Sequence, residues 1–171
     1  MKVLLVIDML KDFINKDGAL YCGKHAETIV SFIKKKIDGC RVSDCRLIYI
    51  CDSHDKDDKE FNMFKPHCIE GTEGAQVIDE LKPAPQDIIL KKKRYSGFYG
   101  TNLEKILKEI NPDVVEVAGV CTSICVMDTV GGLRNRDYHV RVHKEGVADF
   151  DRDAHEFSLK RIKEIYGAEI I

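Results

Sequence analysis

Short apolar runs alternate with longer segments of helical spacing along the whole chain, and four of the runs end in a residue that can do chemistry. Lys2 to Ile7 leads into Asp8, and Arg46 to Cys51 leads into Asp52 and His54. Asp87 to Leu90 leads into Lys91-Lys92-Lys93, and Val114 to Val120 leads into Cys121 and Cys125. Further runs lie at 138–142 and, weakly, at 168–171. Near-continuous Val, Ile and Leu marks strands buried on both faces, as in a parallel sheet. The expected fold class is α/β: a single-domain three-layer sandwich, with a mostly parallel sheet of about six strands and helices on both faces. In such a sheet the carboxyl ends of the strands line one crevice where ligands bind. An acid, a set of metal-type ligands, a cation and a thiol would then meet in one pocket.

The segments between the runs read as helices. Ala26 to Ile37 carries Ile29, Val30, Ile33 and Ile37, and Asn102 to Ile110 carries Leu103, Ile106, Leu107 and Ile110. Phe157 to Ile165 repeats the spacing, and a further helix of roughly 123–136 follows the fourth run. Thr101 with Glu104 three residues on has the capping-box pattern, and Asn111-Pro112 and Gly167 are stop signals. Gly97, Gly100 and Gly131-Gly132 lack a phosphate-loop context and read as turn and packing glycines. With no repeat and no linker, residues 1–171 are expected to be one domain. The least regular stretch runs from Ser53 to Thr72, where Phe61, Phe64 and Pro66 argue for a functional loop over disorder.

Charge excludes some partners. A formal charge of −2 gives no pull toward nucleic acid or an anionic membrane, and no apolar run approaches the ~20 residues of a bilayer span. The N-terminus has no signal-peptide pattern, so a cytoplasmic protein is expected. Seven cysteines, an odd count without any C-x-x-C pair, argue against a disulfide framework. Most should be buried, inert thiols.

Asp52 and His54 lie two apart at a strand end, so both side chains can face one target. Glu60 and His67 follow in the irregular loop and could add an oxygen and a nitrogen ligand. Two imidazoles plus carboxylates suit Zn, Fe(II) or Mn in an open catalytic site. The competing reading makes Asp55, Asp57, Asp58, Lys59 and Glu60 a solvated charge run. Cys125 sits where a buried strand turns into a helix, where the macrodipole and a neighbouring lysine would lower its pKa. A carboxylate such as Asp8 can take the thiol proton, and free N–H groups at the helix start can hold an oxyanion. Against this stands the plain reading of Cys121 and Cys125 as small core residues.

At these residues the chain resembles the isochorismatase-like cysteine hydrolases, and within them the nicotinamidases. The matching blocks are Leu4-Leu5-Val6-Ile7-Asp8-Met9 with Asp12-Phe13, Asp52-Ser53-His54, and Phe64-Lys65-Pro66-His67 with Gly71-Thr72. Lys92-Lys93-Arg94-Tyr95-Ser96-Gly97-Phe98 with Gly100-Thr101, and Gly119-Val120-Cys121-Thr122-Ser123-Ile124-Cys125-Val126, complete the series. The resemblance implies a catalytic triad of Asp8, Lys92 and Cys125. It also implies a cis peptide at Val120–Cys121, with the amides of Cys121 and Cys125 as oxyanion hole. One divalent ion is implied on Asp52, His54, Glu60 and His67, with Zn first and Fe or Mn compatible. Phe13, Phe64 and Tyr95 are the aromatic candidates for substrate binding. Ser123 stands where Asn or Asp is common, which would weaken a local hydrogen bond.

The reaction implied is hydrolysis of nicotinamide, a pyridine carboxamide, to nicotinate and ammonia through a Cys125 thioester, a step of NAD salvage. Self-association into a homo-oligomer is implied by analogy. The nearest alternative is another hydrolase of the superfamily, acting on a different small amide, a carbamoyl compound or a vinyl ether. A non-catalytic metal- or redox-sensing protein is the alternative from another class.

Overall fold

The computed structural model describes residues 1–171. Strand β1 (Lys2–Ile7) is followed by three helices, α1 (Lys11–Ile14), α2 (Lys24–Thr28) and α3 (Val30–Arg41). Strands β2 (Cys45–Asp52) and β3 (Ile88–Lys92) enclose the long loop, which is ordered by short 3-10 turns. Helix α4 (Leu103–Ile110), β4 (Val114–Gly119), α5 (Met127–Arg134), β5 (Val140–Val147), α6 (Arg152–Glu164) and β6 (Glu169–Ile170) complete the chain. The six strands form one sheet in the order β3-β2-β1-β4-β5-β6, and every neighbouring pair is parallel. No helix is long and apolar enough to cross a membrane.

Alternation along each strand feeds two separate cores. Leu4, Val6, Leu47 and Tyr49 pack with Ile33 and Ile37 of α3. Val3, Leu5, Ile7, Ile48 and Ile50 pack with Leu103 and Leu107 of α4, Val130 and Leu133 of α5, and Leu159 and Ile162 of α6. The first three helices therefore cover one face and the last three cover the other. The strand order reverses direction between β1 and β4, and that switch point opens a crevice at the carboxyl ends. Gly119 lets the two strands close there. Its φ is +127°, and a Cβ would lie 2.0 Å from the Ile7 carbonyl oxygen. Gly97 and Gly132 are packing positions too, facing Ile50 and Phe98.

Several expectations need correction. The first long helix is broken at Ile29, inside the β-branched run Thr28-Ile29-Val30, which crowds helical χ1. Helix α6 begins five residues earlier than its apolar spacing suggests, because Asp151 caps it by accepting the Ala154 N–H at 3.0 Å. Strand β5 continues past its apolar run through His143 to Val147, with a register shift against β4. The capping box does not form: Thr101 Oγ1 accepts the Leu103 N–H, while Glu104 binds Lys108 and Arg136. Cys40 and Cys45 form a disulfide across the turn between α3 and β2, with Cα atoms 5.0 Å apart. Counting C-x-x-C pairs overlooks this wider spacing.

Candidate active site

Asp8 follows β1 directly, its backbone turned to φ +51°. Its Oδ1 accepts the Asp52 N–H at 2.8 Å, and its Oδ2 lies 2.8 Å from Lys92 Nζ. Alternation at the end of β3 separates the three consecutive lysines. Lys91 and Lys93 reach outward to Glu70 and Asp55, whereas the Lys92 side chain is fully buried. Its ammonium lies between Asp8 and Asp52 Oδ1 and stands 3.4 Å from Cys125 Sγ. One carboxylate oxygen of Asp8, one of Asp52 and the Cys125 sulfur lie within 4.8 Å of one another.

The local charges follow from burial and this contact. Burial pushes Asp8 up to about 6, the Asp52 charge adds to the rise, and Lys92 opposes both. Burial alone would lower Lys92, but Asp52 and Asp8 outweigh it and hold the ammonium well above its usual range. Cys125 departs from expectation. Burial pushes its thiol well up, and Lys92 recovers only part of the shift against two nearby carboxylates. A thiol held up in this way needs a base before it can act as a nucleophile.

Cys125 is carried on a π-type turn, Thr122–Val126, in which the Val126 N–H reaches the Cys121 carbonyl at 3.2 Å. The expected regular helix starts only at Met127. Two contacts from the β5–α6 connection and one from α6 fix this turn. Thr122 N–H donates to Ala148 O at 2.9 Å, and Ser123 N–H donates to Asp149 Oδ2 at 2.7 Å. His155 Nδ1 lies 2.8 Å from Thr122 Oγ1. The Val120–Cys121 peptide is cis, and the Cys121 N–H donates to no backbone oxygen.

Beside this centre, Asp52 Oδ2 lies 3.6 Å from His54 Nε2 and 3.9 Å from His67 Nε2. The three atoms fall within 4.8 Å of one another, and Glu60 Oε1 is 4.0 Å from His67 Nε2. The outer nitrogens define the imidazole tautomers. His67 Nδ1 donates to the Lys65 carbonyl at 2.7 Å, and His54 Nδ1 donates to Asp58 at 3.1 Å. Both Nε2 lone pairs then face inward, the arrangement usual for metal-bound histidine. His54 Nε2 and Glu60 Oε2 are buried with no hydrogen-bond partner. Spacing, orphaned atoms and mixed N/O donors all fit a divalent cation.

Asp58 belongs to this support and not to a solvated charge run. Its side chain is 4% exposed and is held by Arg94 at 3.0 Å and by the Glu60 N–H at 2.9 Å. One pocket joins both centres: Phe13, Phe64 and Tyr95 line it together with Asp8, Cys121 and Cys125 and with Asp52, Glu60 and His67. Leu20, Cys22, Val120, Ile124 and Phe150 add to the lining, and of these Leu20, Cys22 and Phe150 fall in no motif block.

Comparison with known proteins gives a consistent result. Residues 2–171 match the isochorismatase domain. A relative named as uncharacterized isochorismatase family protein PncA, from Bacillus subtilis strain 168, is 35% identical over 99% of this chain and 98% of its own length. The crystal structure of nicotinamidase PncA from Bacillus subtilis superposes with a TM-score of 0.94 at 34% identity, covering 99% of this chain and 98% of that one. N-carbamoylsarcosine amidase from Thermoplasma acidophilum superposes at 0.90 with 35% identity, covering 99% and 94%.

Proposed function

The chain belongs to the isochorismatase family, and from that premise we propose that it is a metal-dependent cysteine amidohydrolase converting nicotinamide to nicotinate and ammonia. The observation that carries the reading is the buried Lys92 ammonium, 2.8 Å from Asp8 and 3.4 Å from Cys125, next to converging donors from Asp52, His54 and His67. A family hydrolase without a metal would have no use for two imidazoles whose free nitrogens are turned inward. Similarity to a nicotinamidase structure supports the pyridine ring.

In the proposed reaction Asp8 takes the proton of the Cys125 thiol while Lys92 stabilises the thiolate. Sulfur attacks the carboxamide carbon, and the N–H groups of Cys121 and Cys125 hold the resulting oxyanion. Asp8 returns its proton to the departing ammonia. A water then hydrolyses the thioester, with Asp8 again as base. Phe13, Phe64 and Tyr95 hold the flat ring and exclude water. Asp52, His54 and His67, with Glu60 directly or through water, would hold one divalent ion, zinc first by its taste for imidazole and carboxylate donors. When bound, that ion supplies a Lewis-acid anchor for a ring nitrogen.

The test is ammonia release from nicotinamide, with and without a chelator. Turnover should require both the ion and the thiol, and Cys125→Ala should abolish it while leaving metal content unchanged. Release at the normal rate by that variant would remove the nucleophile assignment. Turnover of an N-carbamoyl substrate in place of nicotinamide would move the substrate assignment.

A further inference from the structure

A pair of cysteines borders the pocket, and neither sulfur takes part in the hydrolytic steps. Cys22 precedes α2, in a turn tied down by its own N–H donating to the Phe13 carbonyl at 2.8 Å. Cys121 follows β4 at the head of the nucleophile turn. The two are 99 residues apart in sequence, yet their sulfurs are 3.3 Å apart. Both border the cavity; Cys121 is 7% exposed and Cys22 is 1% exposed.

We infer that Cys22 and Cys121 form a vicinal dithiol modification site, closed to a disulfide by a hydroperoxide and bridged by trivalent arsenicals. The sulfurs must approach from 3.3 Å to a bond length of about 2.05 Å. Cys121, the more open of the two, attacks one peroxide oxygen. The O–O bond breaks, giving a sulfenic acid on Cys121 and one water. Cys22 then attacks the Cys121 sulfur, the S–O bond breaks and a second water leaves. Two electrons pass from the pair to the peroxide, so two thiols and one hydrogen peroxide give one disulfide and two waters. The contact with Cys22 and burial both hold the Cys121 thiol well up, so it must give up its proton before it attacks the peroxide.

The experiment treats the folded protein with hydrogen peroxide, alkylates remaining thiols with N-ethylmaleimide in denaturant, and maps the digest by mass spectrometry. The expected product joins the Cys22 and Cys121 peptides, two hydrogens lighter than their sum, and is split by dithiothreitol. Recovery of both cysteines as maleimide adducts, with oxygen only on Cys125, would overturn the inference. A second readout needs no oxidant: phenylarsine oxide condenses with two thiols and expels one water. With the Cys40–Cys45 bond intact, wild type should gain one adduct by intact mass, and Cys22→Ser and Cys121→Ser should gain none. An adduct that persists in Cys22→Ser, or fails to form on wild type, also overturns it. Should a variant fail to fold, the wild-type digest decides alone. Neither readout uses amide turnover, so this inference and the proposed hydrolysis fail separately.

Discussion

A lysine with a fully buried side chain is tolerable only where anions meet it, and Lys92 meets Asp8 and Asp52 together. Lys92→Met would strand both carboxylates without their cation, and removing one partner of a buried pair costs about 3–5 kcal/mol. Urea unfolding of that variant should show a loss of this size beside the loss of turnover. Asp58→Ala probes the other centre. It frees His54 Nδ1 without touching an inward-facing nitrogen, so zinc affinity measured by calorimetry should fall about 10–100-fold. Lys92 is the member of its triplet that the resemblance selects, and alternation along β3 gives that choice a physical reason. Asp58 was not legible, since the run from Asp55 to Glu60 does not reveal which carboxylate the loop turns inward. The thiol's pKa was misjudged for a related reason. Helix position and a nearby lysine can be read from sequence, but the burial that outweighs them depends on the whole pocket.

At the scale of elements, strands were legible because hydrophobic runs buried on both faces leave little room for polar residues. Helix α6 was legible only in its second half, since its first turn is Arg152, Asp153, Ala154 and His155, held by a cap and not by an apolar stripe. The π-type turn at Thr122–Val126 left no periodic trace, because its geometry comes from Asp149 and His155 on a distant segment. Gly119 joins elements more stringently than any side chain. Gly119→Ala combines a φ of +127° with a 2.0 Å approach to Ile7 O. It should cost more than about 4 kcal/mol, in the tail of single-substitution effects, and should show as loss of soluble protein or of a cooperative melt.

Across the whole molecule, strand order is what brings distant residues to one mouth, and it follows from crossover handedness and a single reversal. Sequence could place chemistry at strand ends, but which strands are neighbours was knowable only through the family. Away from the mouth, Glu116 of β4 accepts from His143 of β5 at 2.7 Å, and this bond chiefly pulls the carboxyl down from 4.5 to about 2. A folded-state value below the unfolded one gives stability that is full above about 4.5 and is lost as pH falls toward 2. Urea midpoints followed over that window should slope for wild type and flatten for Glu116→Gln. On the proposed metal reading, adding zinc at about 100 times its Kd should raise the melting temperature and a chelator should reverse it, since such a ligand adds about 2.7 kcal/mol to the folded state. The steepest constraint rests on Asp52, which turns one oxygen to Lys92 and the other to the two imidazoles. On the proposed metal reading, loss of the ion would strip His54 and His67 of their common target, whereas Asp52 would still face the Lys92 ammonium and so keep a second employer.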